Sequence, residues 1–322
     1  MKTRRLGNSE LYVSEIAYGS WLTVAGGIAR EQAERCIHAA LDAGITLFDT
    51  ANEYGHGAAE SLLGDTFNSV PRDSYLLATK LFFPMSETDR GLSAPQVAKQ
   101  LDASLVRLRT DYVDLYQCHR YDEETPLEET MAALTRAVQA GKARSIGFSG
   151  WTVQQIDQAA AMSNQRGYVP FVSSQPQYSM LWRKPEAEIF PACERHSIGQ
   201  IVFSPLAQGV LSGKYKPGVP PPSDSRAADP EMNMFMQSKG RRFRDDDLLA
   251  AVLHLVPIAR DLGLTLSQMA LAWVLRRPEV TAAIVGGRSP EQIQVNAKAS
   301  GVRLDEEVVA RLNEILAPVV VT

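Results

Sequence analysis

The strongest constraint on this chain's fold is a pairing that recurs along it, a short apolar run followed by a longer amphipathic one. Eight such pairs span the 322 residues. The short runs are Glu15–Gly19, Ile45–Phe48, Tyr75–Lys80, Tyr112–Gln117, Ala143–Phe148, Phe171–Ser174, Gly199–Phe203 and Thr281–Val285. Their length and apolar content read as buried strands. The longer segments read as helices near Ala29–Ala43, Ala58–Asn68, Ala94–Leu108, Pro126–Ala140, Val153–Ser163, Glu186–His196, Asp247–Leu262 with Leu266–Arg276, and Pro290–Lys298. A last helix is predicted over Asp305–Ala317, and Gly44 and Gly141 stand where helices end.

Strand–helix alternation predicts a parallel sheet. Eight units are the count for a closed (β/α)8 TIM barrel, with residues 1–322 forming one domain. A doubly wound open sheet would be expected to carry Gly-x-Gly-x-x-Gly after its first strand. Gly19, Gly26 and Gly27 lack that spacing. Ahead of the first unit, Thr3–Leu6, a Gly7-Asn8-Ser9 turn and Glu10–Val13 have the rhythm of a β-hairpin that covers one barrel end. The irregular stretch is Ser204–Arg244, after the seventh strand. It holds Pro205, Pro217, Pro220, Pro221, Pro222 and Pro230, and the methionine-rich run Met232–Met236. A loop of that length reads as a functional cover, with the methionines on a mobile surface or a short helix.

A net charge of −4 gives no general attraction to nucleic acid or to an anionic membrane. Cys36, Cys118 and Cys193 lie far apart and form no C-x-x-C. The basic start, Met1–Arg5, is not followed by an apolar signal region, and no apolar run is long enough for a bilayer. The expected compartment is the cytoplasm.

In a barrel the C-terminal strand ends share one face, so residues distant in sequence meet there. Asp49 follows the second strand and Tyr54 the loop after it; Lys80 ends the third and His119 follows the fourth. Singly each has an ordinary structural reading, a cap, a packed ring or a solvated strand end. Together they suit proton donation. A phenol has a pKa of about 10, and an adjacent ammonium favours the phenolate and lowers it. A carboxylate keeps that ammonium charged, and a histidine can orient a carbonyl oxygen. No Ser-His-Asp layout and no metal-ligand spacing is evident. A tuned phenol without nucleophile or metal fits reduction of a carbonyl by an external hydride donor.

Along essentially its whole length the chain resembles the aldo-keto reductases. The resemblance rests on Phe48-Asp49-Thr50-Ala51 with Tyr54-Gly55, Leu77–Lys80, Ile146–Ser149, Ser204–Ala207 with Gly209, and Ile284–Gly286 with Gln292 and Asn296. The Trp21-Leu22-Thr23 loop, Ser204–Tyr215 and Arg226 look most like the branch containing the voltage-gated potassium-channel beta subunits and their bacterial relatives. The resemblance implies Tyr54 as general acid, Lys80 lowering its pKa, Asp49 holding Lys80 and His119 orienting the substrate oxygen. It implies Ser20, Trp21 and Asp49 at the nicotinamide end, Ser149 and Gln175 on the carboxamide, and Phe203 against the ring. Ser204, Pro205, Leu206, Gln208 and Lys214 would hold the pyrophosphate, with Arg226 reaching it from the loop. Gly286, Arg288, Gln292 and Asn296 would take the adenosine half.

Two departures stand out. Gly150 follows Ser149 where the family usually has asparagine or arginine, and a lysine common after the eighth strand is replaced by glycine. Arg288 remains as the ligand for a 2′-phosphate, because a planar guanidinium suits a phosphate and Pro290 opens a helix beside it. NADPH is therefore favoured over NADH. Trp21, Tyr54, Phe82, His119 and Trp151, with Phe83, Met180 and Trp182, are the candidate pocket walls for an apolar or aromatic carbonyl. The leading expectation is an NADPH-dependent aldehyde or ketone reductase. The alternative is a cofactor-sensing regulatory subunit of a channel-type, tetrameric assembly. The quaternary state is open among a monomer, a tetramer and an octamer of tetramers.

Overall fold

A computed structural model describes residues 1–22, 28–229, 236 and 243–322. Gly26, Gly27, Pro230 and Met232–Phe235, which entered the loop expectations above, lie outside the described residues. Within them the eight predicted strands close into a parallel barrel. These are β3 (Ile16–Gly19), β4 (Leu47–Asp49), β5 (Leu76–Leu81), β6 (Val113–Cys118), β7 (Ala143–Phe148), β8 (Phe171–Ser174), β9 (Gly199–Val202) and β10 (Val280–Val285). β10 pairs with both β9 and β3, which completes the ring. The helices between them include α1 (Arg30–Asp42), α2 (Ala58–Thr66), α3 (Ala94–Leu108), α4 (Leu127–Gln139) and α5 (Val153–Arg166). Then come α6 (Ile189–Arg195), α7 (Asp246–Leu253), α8 (Val256–Asp261), α9 (Leu266–Leu275), α10 (Pro290–Ala297) and α11 (Glu306–Leu316).

The expected hairpin is present: β1 (Thr3–Arg5) pairs antiparallel with β2 (Tyr12–Ser14). Its Leu6, Leu11 and Val13 pack with inward-facing Ala17, Leu47, Ala78, Leu115, Val172, Ile201 and Ala282, plugging the N-terminal end of the barrel. Gly7 must be glycine there, since its φ is +52° and a Cβ would stand 2.3 Å from Val172 O. The charges at this end are paired. Arg4 Nε donates to Glu15 Oε1 at 2.9 Å, and its terminal nitrogens donate to Val280 O at 2.6 Å and Leu275 O at 2.7 Å. Asp114 accepts from Arg72 at 2.7 Å, Arg144 at 2.9 Å and Leu77 N at 2.9 Å.

Several bounds differ from expectation. The segment Asp247–Leu262 is two helices, α7 and α8, because Pro257 sits in the first turn of α8 and cannot supply an N–H to a continuous helix. The segment Glu186–His196 begins as a 3-10 turn at Lys184–Glu186, and α6 starts only at Ile189. Inside the irregular stretch, Ala207–Ser212 forms 3-10 turns. Met236 is buried in the core. Among the described residues no single helix is long and apolar enough to cross a bilayer.

Candidate active site

Asp49 is the last residue of β4 and Lys80 the fifth of β5, so both side chains enter the barrel just below its C-terminal rim. Lys80 is wholly buried. Its ammonium spends three N–H bonds on Asp49 Oδ2 (2.6 Å), Thr50 O (2.7 Å) and Tyr54 OH (3.3 Å). An ammonium has three donors, so none is left over. The other carboxylate oxygen, Asp49 Oδ1, accepts from Gln175 Nε2 at 2.8 Å and Gln117 Nε2 at 3.3 Å. Tyr54 reaches Lys80 from the loop between β4 and α2, which turns through positive φ at Gly55, His56 and Gly57. Glu60, in the first turn of α2, is tied to β5 by Thr79 Oγ1 at 2.5 Å and to α3 by Arg107 Nε at 2.7 Å. These bonds fix that loop against the strand carrying Lys80.

His119 follows β6, with its ring 5.8 Å from Tyr54 and 4.9 Å from Phe83, both edge-on. Its Nδ1 lies 3.5 Å from Glu53 Oε1 and makes no hydrogen bond. Burial, with the charges of Lys80 and Arg120, holds His119 well below the ordinary imidazole range, so the ring is neutral near pH 7. Burial works against the Lys80 ammonium, but Asp49 and Tyr54 outweigh it and the amine titrates above its usual value. One expectation is corrected here. Lys80 does pull the Tyr54 phenol toward ionisation, yet burial pushes harder and the phenol stands above its ordinary pKa, not below it. Burial outweighs the attraction of one nearby cation.

The second group of predicted residues gathers around the same rim. Ser149 follows β7; its hydroxyl donates to Gln175 O at 2.8 Å and accepts from Arg120 at 3.2 Å. Gln175, expected on a carboxamide, gives its amide nitrogen to Asp49 in the described structure. Phe203 follows β9 and bridges to Gln177. Ser204, Ala207 and Gln208 take φ of 54°, 48° and 60°, left-handed values that non-glycine residues hold only under constraint. Gln208 Nε2 donates to Ser204 Oγ at 2.6 Å, and Pro205 and Leu206 lie in the turn between them. Gly286 and Arg288 follow β10, and Gln292 and Asn296 lie on α10. Arg288 donates to Asp224 O at 2.7 Å, and Gln292 Oε1 accepts from Arg288 N at 2.9 Å.

A dinucleotide needs cations for its phosphates and a backbone it can approach closely. Lys214 and Arg226 make no hydrogen bond or ion pair among the described residues. Each stands over an aromatic ring, Lys214 5.2 Å from Tyr215 and Arg226 5.3 Å from Trp21. Burial and the proximity of Arg288 bring Arg226 down to about 10, and burial with Arg226 and Arg288 lowers Lys214. Three mutually repelling cations beside a strained turn fit a phosphate-bearing ligand. Ser20, the first residue after β3, is buried, and Trp21 next to it is half-buried.

Of the proposed pocket walls, Phe82 and Phe83 are half-buried and meet edge-on, and Phe83 lies against His119. Trp151 is not a free wall. It stacks on Phe148 at 5.0 Å and is boxed by Tyr121 and Phe171, so it belongs to the packing behind β7. Met180 is likewise core, and Trp182 bridges to Val321. Sequence reasoning missed Gln117, Glu53 and Arg120. Gln117 faces inward on β6 four residues after Val113, and that alternation was the available signal. Among the described residues no group of three or more His, Cys, Asp or Glu side chains gathers as a metal site, and all three cysteines are buried and free.

A family model described as the aldo/keto reductase family matches residues 15–317. A relative from Oryza sativa subsp. japonica, named as a probable voltage-gated potassium channel subunit beta, is 36% identical over 98% of this chain and 97% of its own. One of the same name from Arabidopsis thaliana is 38% identical over 93% of this chain and 91% of its own. A third, from Schizosaccharomyces pombe and named for the same subunit, is 35% identical over 97% and 92%. With the barrel, the Asp49–Lys80–Tyr54 arrangement and this match over nearly the whole length, the chain belongs to the aldo/keto reductase family.

Proposed function

We propose that the chain, acting as one unit over residues 1–322, is an NADPH-dependent reductase of aldehydes or ketones. Family membership supports an oxidoreductase in general. The observation that carries the finer reading is the Lys80 ammonium, whose bonds join the Asp49 carboxylate to the Tyr54 hydroxyl beside a neutral His119. When bound, the nicotinamide supplies the hydride. Tyr54 gives its proton to the carbonyl oxygen, and Lys80 steadies the phenolate left behind. Asp49 keeps Lys80 charged, and Gln117 and Gln175 hold Asp49. His119 donates an N–H to the substrate oxygen without placing a second cation beside Lys80.

For the cofactor, Lys214 and Arg226 with the Ser204–Gln208 turn would hold the pyrophosphate. Arg288, next to the Ser289 cap of α10, would take the 2′-phosphate. Ser20, Trp21, Ser149, Gln175 and Phe203 would surround the nicotinamide, and Gly286, Gln292 and Asn296 the adenosine. The test is NADPH consumption matched by alcohol formation across a panel of aldehydes and ketones. Tyr54→Phe is expected to lower turnover about a hundredfold or more while NADPH binding persists; unchanged turnover would remove Tyr54 from the mechanism. The relatives' names favour a second reading, a cofactor-bound regulatory subunit. Retention of NADPH with no turnover of any carbonyl, in a protein of tetrameric mass, would select it.

A further inference from the structure

Arg120 follows His119 at the rim and has no part in the proton chemistry above. Its guanidinium is half-buried. Nη1 donates to His119 O at 2.5 Å and to Ser149 Oγ at 3.2 Å, both neutral acceptors. Among the described residues, Nε and Nη2 make no hydrogen bond and no carboxylate lies within ion-pair distance of them. Cζ stands 5.6 Å from the Phe83 ring centroid, and Phe83 in turn packs on His119. Guanidinium, phenyl, imidazole and the Tyr54 phenol thus follow one another along one wall. Gly150 leaves room beside that guanidinium, since a Cβ there would stand 3.5 Å from both Cδ and Nη1. Glu53 also faces the wall, through His119 Nδ1. Burial holds its carboxyl above the ordinary range against the pull of Lys80 and Arg120.

A half-buried guanidinium with part of its fork unused, and with no carboxylate in ion-pair distance among the described residues, is matched by a carboxylate or a phosphate. We propose that Arg120 is a specificity-determining residue that takes the anionic group of an acidic carbonyl substrate, a carboxylate-bearing or phosphate-bearing aldehyde. The proposal rests on the reductase reading above. On binding, Nε and Nη2 would face the anion while the carbonyl oxygen meets Tyr54 and His119.

The test compares matched substrates, succinic semialdehyde with butanal and glyceraldehyde 3-phosphate with glyceraldehyde. For at least one pair the unaltered protein is expected to favour the anionic member in kcat/KM by about tenfold or more. The pair that shows it tells carboxylate from phosphate. Arg120→Met is expected to cut that ratio about tenfold, mainly through KM. Arg120→Lys, which keeps the charge but not the fork, is expected to fall between, and it decides the case if the methionine variant does not fold. An unchanged ratio overturns the proposal. So does an equal loss on both members together with weaker NADPH binding, which would assign Arg120 to the cofactor. Failure of the reductase reading shows separately, as no turnover of any member by the unaltered protein. Calorimetric titration of succinate into NADP-loaded protein then decides. The proposal requires binding about tenfold tighter than to Arg120→Met, and equal affinity overturns it.

Discussion

The two ends of this barrel are built from the same strands and, outside the Asp49–Lys80 pair, treat charge in opposite ways. At the hairpin end, Arg4 is met by Glu15 and three carbonyl oxygens, and Asp114 by two arginines and a backbone N–H. At the rim, Lys214 and Arg226 have aromatic faces for company, Arg120 uses only one nitrogen of its fork, and His119 Nδ1 is buried without a hydrogen bond. Left-handed backbone at Ser204, Ala207 and Gln208 also falls at the rim. Closed electrostatics make one end a fastening. Open electrostatics leave the other with interactions still to be made, as expected of the C-terminal face of such barrels.

Matched variants should separate the two ends. Tyr54→Phe at the rim is expected to remove about a hundredfold or more of turnover and to shift the urea unfolding midpoint less than the variant at the other end, since it strands only one long bond of Lys80. Asp114→Ala at the hairpin end is expected to do the reverse. It strands Leu77 N–H and two arginines, at a cost of about 2 kcal/mol after allowing for the solvent access of Arg144. Turnover per folded molecule should stay unchanged. Equal effects of both variants on stability would dissolve the contrast.

A smaller effect should appear within the rim. Arg288→Ala is expected to weaken NADPH about tenfold and NADH less than twofold; equal losses in the two dissociation constants would take Arg288 off the 2′-phosphate. The smallest concerns acid. The folded protein keeps His119 neutral, whereas the unfolded chain protonates it below about pH 6.5. Stability tied to this ring is therefore full above that pH and is lost as pH falls toward the depressed folded value. From pH 7 to 6 the loss is on the order of 1 kcal/mol or less. His119→Asn should lack that share of the slope, and identical slopes in both proteins would mean the ring is not held neutral.

The barrel was legible because its signal is repeated eight times, and a one-residue slip at any strand does not disturb the count. The slips are real, since Asp49 ends β4 and Lys80 lies inside β5, where both had been read at the strand mouth. The meeting of Asp49, Tyr54, Lys80 and His119 was legible for the same reason, because topology alone brings strand ends together. The direction of the Tyr54 shift was not, because it depends on how deeply the loop seats the phenol. Gln175 lies on the expected face; its bond to Asp49 was not legible, because spacing does not say which carboxylate an amide at a strand end will meet. Trp151 was misplaced as a wall because periodicity does not tell an aromatic at a rim from one packed behind it.

The fully bonded ammonium of Lys80 has one more chemical result. A primary amine beside an aldehyde is itself a target, since amine and aldehyde condense to an imine with loss of water. That attack needs a free lone pair. With three N–H bonds committed and its pKa raised, Lys80 has none to offer near neutrality. The lattice of bonds around it thus guards the amine against condensing with the very compounds the protein is proposed to handle.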